Sequence, residues 1–450
     1  MTAAWELVQT QHSVTVAVID TGVQTTHKDL APNLDTAHMA TVTSSQQLQV
    51  GTMSDADGHG THVAGIVAAA ADNGLGIAGA SANATVLPIN VFYTQRGESV
   101  TETASVVRAY QYLDDLVESG QLGNLHVINL SLGSYASDAE DELLRQEIAH
   151  MRSEHQVLTV CAGGNGDSRG NALTDRSYSA DYDECLSVTS LAQDGSNAAW
   201  SDYNSYKDIS APGVGILSTY TDSYAKLCLS SALYKADVEQ SASNDSYGYM
   251  DGTSMSSPLV AGIAALLWAA YPQLSVDDAV TALTSTAHSV NPVRYDRSKP
   301  VTVTLPGFGH RWGNNTVTLP ASGSAGAVDA AAAVSWVLSK ASAGSLEPVA
   351  EPAVTAPARG TIATLTAKSK GFKVSWRSLS AVAGYQIRYR LATSSSWTSS
   401  GAIAATKSSK AVSGLKQGKK YYVQVRAYRL DASGAKVYGS WSAKKSVTTK

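Results

Sequence analysis

The sequence predicts two domains of different class. Residues 1–340 read as an α/β domain, a parallel sheet covered by helices on both faces, and residues 361–450 as a small all-β sandwich, with a linker at 341–360. Three observations carry this. In the first part, short apolar runs rich in β-branched residues alternate with helical patterns. In the last part, apolar and polar residues alternate with period 2. Between them the charge changes sign: Pro357–Lys450 holds 18 Lys+Arg against one acid, Asp431, a net of +17, while the first 356 residues carry −22. Such a split argues against one domain. A chain of 450 residues, 44% hydrophobic, has room for two to four domains at ~100–200 residues each and is not a disordered chain.

The candidate strands of the first domain are Val14–Ile19, Thr85–Val91, His126–Leu130, Val157–Cys161 and Leu186–Ser190. They are continuous apolar runs, as strands buried on both faces require. Between them lie helical patterns at Thr103–Glu118, Ala139–His150 and Pro258–Ala270; in the first, Val106, Val107, Tyr110, Leu113 and Val117 share a face. In such sheets chemistry gathers at the carboxyl ends of the strands. The longest apolar run, Leu259–Tyr271, is shorter than the ~20 residues a bilayer needs, so no membrane span is expected. Ala341–Gly360 has no apolar period and is rich in Ala, Pro, Ser and Glu, which reads as a linker. Beyond it, Phe372–Trp376, Tyr385–Tyr389 and Tyr421–Tyr428 alternate as half-buried strands do.

Cys161, Cys185 and Cys228 are too few for a disulfide scaffold and wrongly spaced for zinc. Cys185 and Cys228 are left open as a pair or as two free thiols. The first residues, MTAAWELVQTQHSVTVAVID, lack the charged start and apolar stretch of a signal peptide. The expectation is a mature form or a cytoplasmic chain, with no inhibitory prodomain. Asn291–Val317 is hard to place and is expected as a hairpin at the domain edge.

Three motifs carry chemistry. Strand Val14–Ile19 ends in Asp20-Thr21-Gly22, where a rigidly held carboxylate suits orienting an imidazole; the plain alternative is a turn aspartate. Asp57-Gly58-His59-Gly60-Thr61-His62 runs into an Ala-rich helix. His59 and His62 have a metal-couple spacing but no third ligand, so His62 reads as a packed core histidine. Gly252-Thr253-Ser254-Met255-Ser256-Ser257-Pro258 opens an apolar helix, where a serine is ordinarily a cap. Asp20, His59 and Ser254 follow the order of one of the convergent Asp-His-Ser triads. The wording around all three resembles the subtilisin-like serine peptidases, the subtilases.

That resemblance spans about Val14–Val337 and implies a subtilisin-like fold and a serine endopeptidase. It makes Asp20, His59 and Ser254 the triad and Asn165, in Val160-Cys161-Ala162-Gly163-Gly164-Asn165, the oxyanion donor. It makes Ser131, Leu132 and Gly133 the backbone edge that pairs with substrate, and Ala162, Gly163 and Gly164 the facing wall, with Ser177 near the base. Small residues there predict an open pocket for a sizeable apolar or neutral side chain. Asp29, Ala71, Asn73, Leu75 and Ile77 match a structural calcium loop; a Gly-rich turn without metal is the alternative. No cofactor is implied for catalysis.

The last domain resembles a bacterial fibronectin type III-like repeat, on Trp376, Gly384-Tyr385-Gln386-Ile387, Tyr421–Val425 and Gly439-Ser440-Trp441-Ser442. The expected partners are protein or peptide substrates and, through the basic domain, anionic cell-wall polymers, not nucleic acid. The expected location is secreted or at the cell surface. The competing reading is a catalytically impaired scaffold that binds surfaces.

Overall fold

The Thr15–Asp20 strand sits near the middle of a nine-stranded sheet in the computed structural model, which describes residues 1–8, 13–135, 142–167, 172–230, 238–239, 243–290, 294–296, 316–318, 325–349, 354–379, 381–431 and 434–450. In spatial order the strands are Gly326–Ala327, Ile209–Pro212, Cys185–Leu191, Leu158–Ala162, Leu125–Leu130, Thr15–Asp20, Thr85–Asn90, Ala40–Val42 and Leu48–Val50. All neighbours run parallel except the last pair. Every residue of Thr15–Asp20, Leu158–Ala162 and Cys185–Leu191 is buried, as a sheet covered on both faces demands. On one face Val16, Val18, Val127, Val160 and Val188 pack with Val260, Ile263 and Leu267 of the core helix. On the other, Tyr110 of helix Thr103–Glu118 meets Thr159 by a hydroxyl–hydroxyl hydrogen bond of 3.1 Å.

The core helix is longer than its apolar run suggests, Thr253–Ala270 rather than Pro258–Ala270. By length and composition it is able to cross a bilayer, but 83% of it is buried inside the protein. Its extra N-terminal turn is polar, which hid it from an apolar count, and that turn carries Ser254. The helix expected over Ala139–His150 is described as Glu142–His155 and extends beyond residue 150; residues 139–141 lie outside the described residues. Of Asn291–Val317, only 294–296 and 316–317 are described; Arg294–Asp296 pairs antiparallel with Thr316–Thr318.

The chain divides into two units, residues 1–110 with 124–350, and residues 111–123 with 351–450. The second holds a three-stranded antiparallel sheet, Ile362–Lys368, Gly371–Trp376 and Ser409–Val412, and a second antiparallel sheet centred on Gly384–Leu391 and Lys420–Leu430. Phe372, Val374, Trp376, Tyr385, Ile387, Val423 and Val425 fill its core. The closing Trp441-Ser442 earns its place locally. Trp441 lies under Arg388 (4.2 Å) and Arg426 (4.3 Å), and Ser442 Oγ accepts the Val425 N–H at 3.0 Å.

Candidate active site

Asp20 is the last residue of its strand and is buried. Its Oδ1 accepts from His59 Nδ1 at 2.8 Å and from the Thr21 N–H at 2.7 Å. His59 is the first residue of helix His59–Ala68, so the helix start must lie against the strand end. Gly60 allows it: a Cβ there would sit 2.2 Å from the Gly22 carbonyl oxygen. Thr21 Oγ1 accepts the Gly60 N–H at 2.8 Å and closes the junction.

Asp55 organises the same corner and was missed from the sequence. Its Oδ1 accepts the Gly58 N–H (2.8 Å) and Thr21 Oγ1 (3.0 Å); its Oδ2 accepts the Thr61 N–H (2.9 Å) and Thr61 Oγ1 (2.6 Å). A carboxylate taking the free N–H groups of a helix start stabilises that start. An aspartate four residues ahead of a helix-initial histidine was the available signal. Burial pushes the Asp55 and Asp57 carboxyls up. Burial also works against a charged His59, but Asp20, followed by Asp57 and Asp55, outweighs it and holds the imidazole up at about 9.

His62 faces away from this chemistry. Its Nε2 lies 2.9 Å from the Ile216 and 3.0 Å from the Gly248 carbonyl oxygens, and burial pushes it down to about 3. It is the packed histidine expected, not half of a metal couple.

Ser254 is the second residue of the core helix, and its Oγ donates to the Ser131 carbonyl at 3.2 Å. Pro258 has no N–H to give the Ser254 carbonyl four residues back. Ser131 Oγ supplies the missing donor at 3.0 Å, while Asn129 Nδ2 donates to Ser131 Oγ at 2.9 Å. The Ser131 side chain thus holds the helix start rather than substrate. Asn165 is fixed from the same turn: its Oδ1 accepts from the Thr253 N–H (2.9 Å) and Thr253 Oγ1 (2.8 Å). The amide's NH2 is left as the end not used by this pair of bonds.

His59, Ser254 and Asn165 line one cleft of about 350 Å³. Of the six expected substrate-binding residues, Ser131, Leu132, Gly133, Ala162 and Gly164 line it too, as does Ser177. Gly163 does not: its N–H continues the sheet ladder to the Val188 carbonyl at 2.9 Å, which turns it toward the neighbouring strand. Phe92, Ser99, Thr101 and Tyr135 also line the cleft and were not foreseen. Ser99 comes from a hairpin, Tyr93–Gln95 with Glu98–Val100, too short to stand out by periodicity. Behind the wall, Lys207 and Asp181 form an ion pair of 2.5 Å with both side chains fully buried. Asp181 also accepts the Ser177 N–H at 2.9 Å, which fixes that residue.

The calcium residues gather, but into a hydrogen-bonded loop. The buried Asp29 accepts from Asn73 Nδ2 (2.6 Å) on one oxygen, and from the Ile77 N–H and Tyr247 hydroxyl (3.1 Å each) on the other. Asn73 Oδ1 accepts the Leu75 N–H at 2.9 Å, which sets the amide's orientation. Asp29, Asn73, Leu75 and Ile77, with Ala71 ahead of them, therefore meet a cation with N–H and O–H hydrogens around Asp29. A calcium ion needs six to eight oxygens; this arrangement does not fit one.

Of the two alternatives left open for Cys185 and Cys228, the structure shows no disulfide. Cys185 Sγ lies 3.4 Å from Cys161 Sγ, and all three cysteines are buried and outside any disulfide. Cys161 and Cys185 lie on neighbouring strands, whereas Cys228 lies on helix Asp222–Ser230.

Comparison with known proteins agrees with this geometry. Residues 11–309 match the subtilase family and residues 355–438 the fibronectin type III domain. The chain is 31% identical over 264 residues to the thermophilic serine proteinase of Bacillus sp. (strain AK1), covering 59% of this chain and 54% of that protein. It is 30% identical over 275 residues to subtilisin DY of Bacillus licheniformis, covering 61% and 84%. It therefore spans about half the length of the first of these relatives. A solved structure described as proteases from Pseudoalteromonas arctica PAMC 21717 is 27% identical, with a TM-score of 0.53, over 74% of this chain and 93% of that one. With a family match across most of the first unit and Asp20, His59 and Ser254 set at its strand and helix ends, the chain belongs to the subtilase family.

Proposed function

We propose that the chain is a serine endopeptidase that hydrolyses peptide bonds through an acyl-enzyme. The observation that carries this is the 2.8 Å contact of His59 Nδ1 with the buried Asp20, in a cleft that His59 shares with Ser254. His59 takes the Ser254 proton as Oγ attacks the carbonyl, and Asp20 holds the imidazole tautomer and stabilises its cation. Asn165 Nδ2 and the Ser254 N–H receive the oxyanion; one such donor is worth about 10²–10³ in kcat in subtilisin. His59 then protonates the leaving amine, and water repeats the sequence on the ester.

The test is intact-mass analysis after a fluorophosphonate probe. One adduct on the parent and none on Ser254→Ala is the expected result. A folded parent that takes no adduct overturns the peptidase reading in favour of a surface-binding scaffold.

The histidine sets the pH response. With His59 held at about 9, the neutral base is the minor form at pH 7. We expect kcat/KM to rise about tenfold per pH unit and to level off near 9; a plateau beginning near 6.5 would contradict this. The sign for stability is opposite. A raised histidine pKa stabilises the fold fully below 6.5, and that contribution is lost as pH rises through about 9.

We place the protein outside the cell or at its surface, held on anionic wall polymers by the basic sandwich. The support is a charge polarity within that unit. Backbone bonds from Lys370 N to Lys450 O, Lys450 N to Lys368 O and Leu415 N to Lys370 O gather three distant segments at one end. Lys368, Lys370, Lys416, Lys419, Lys420 and Lys450 are all exposed there. Asp431 lies past the far end of the 11-residue strand Lys420–Leu430, roughly 35 Å away. The full chain should bind isolated bacterial walls and elute with salt. Changing Lys368, Lys370, Lys416 and Lys419 to Gln should lower the eluting salt concentration; unchanged elution sinks the anchoring role.

A further inference from the structure

Tyr135 spans the cleft that substrate would enter. It follows the Ser131–Gly133 wall, yet its hydroxyl bonds to the opposite one, accepting the Gly166 N–H at 3.2 Å and donating to Asp202 Oδ2 at 2.5 Å. Asp202 is fully buried behind that wall. Its Oδ1 accepts the Leu173 N–H at 2.7 Å, and its own N–H donates to the Gly164 carbonyl at 3.1 Å. Gly164 is what makes this possible. Its φ is +110°, a conformation that favours glycine, and a Cβ would lie 2.1 Å from Asp202 Oδ2 and 3.1 Å from the Tyr135 hydroxyl.

The residue between these contacts is Asn165. Gly164 on one side is tied to Asp202, and Gly166 on the other is tied to Tyr135. From the helix, Thr253 Oγ1 accepts the Gly164 N–H at 3.1 Å while donating to Asn165 Oδ1. Asn165 is therefore held at its amide by Thr253 and at both flanking peptides by the Tyr135–Asp202 pair. We propose that Tyr135 and Asp202 are positioning residues for Asn165: a clasp across the cleft that keeps the amide donor where a developing oxyanion needs it. Burial pushes the Asp202 carboxyl up to about 6, against the pull of the Tyr135 hydroxyl. It is thus ionised, and accepts, throughout the alkaline range in which His59 is neutral.

The proposal rests on the peptidase reading above, and the two fail in different ways. A parent that the fluorophosphonate probe does not label loses that reading. A labelled parent leaves the clasp to be judged by a double-mutant cycle with Asn165→Ala. Tyr135→Phe keeps the ring in the cleft and removes only the hydroxyl. We expect it to lower kcat by about 10²-fold on a peptide substrate, the scale of a small misplacement of a catalytic donor, with KM changed far less. In the Asn165→Ala background the same change should lower kcat less than threefold, because there is no amide left to position. A merely structural role would cost the same in both backgrounds. Equal losses in the two backgrounds, or an unaltered kcat in Tyr135→Phe, overturn the proposal. Asp202→Asn run through the same cycle gives a second, independent reading should Tyr135→Phe fail to fold.

Discussion

Ser254→Ala is expected to lower kcat for peptide hydrolysis by about 10⁶-fold while leaving the fold intact, the scale on which removing a triad nucleophile acts. The size follows from the division of labour in the site. On the proposed mechanism Asp20 and His59 raise the reactivity of one hydroxyl, so without Oγ their arrangement has nothing to act on. The fold should tolerate the change because, among the described residues, Ser254 Oγ makes a single 3.2 Å bond, to the Ser131 carbonyl. The Ser254 main chain keeps the Ser131 hydroxyl at its carbonyl. Measured thermal unfolding should therefore match the parent closely. A variant retaining a percent of parental kcat would mean that another group performs the attack.

Asp20→Asn is expected to cost about 10⁴-fold in kcat, as loss of the corresponding carboxylate does in serine peptidases. Two effects combine here. An asparagine that turns its NH2 toward His59 forces Nδ1 to accept, which places the ring proton on Nε2 and leaves no base for Ser254. An asparagine that keeps its oxygen there removes the charge that does most to raise the imidazole. Either way the rise of activity with pH should move down from about 9. Kinetics across pH 5–10 check both parts. A loss of kcat with an unmoved pH midpoint would show that Asp20 does not set the histidine's protonation.

The proposed triad stood out in the sequence because its chemistry constrains its neighbours as well as itself. Asp20 ends an apolar strand, His59 needs Gly60 behind it to reach that strand, and Ser254 opens a helix. Such requirements leave words in the chain. The parallel sheet was legible for a similar reason, since strands buried on both faces read as unbroken apolar runs. What stayed hidden depends on sheet order. Cys161 and Cys185 meet because their strands are neighbours, and nothing in their spacing says so. Asp202 reaches Tyr135 across the intervening Gly164, far apart in sequence and joined by no motif. Asp55 carried a local signal, a carboxylate ahead of a helix start, but the glycines and histidines that follow it masked the capping pattern. The hydrogen bonds around Asp29 were also hidden, because one partner lies outside the loop. Tyr247 reaches Asp29 from a strand more than a hundred positions away, and its hydroxyl donates to one carboxylate oxygen.

The parallel order of the sheet has a kinetic meaning. Pairing Ile209–Pro212 with Gly326–Ala327, and Thr15–Asp20 with Leu125–Leu130, closes large loops, and non-local pairing of this kind favours slow folding. The reactive groups come from positions 20, 59, 165 and 254, on segments that meet only once that sheet and its core helix are assembled. Under the peptidase reading proposed above, a half-folded chain, with its backbone still open to attack, has no working site with which to attack its siblings. On that reading, self-digestion is deferred until the molecule has become a poor substrate for itself.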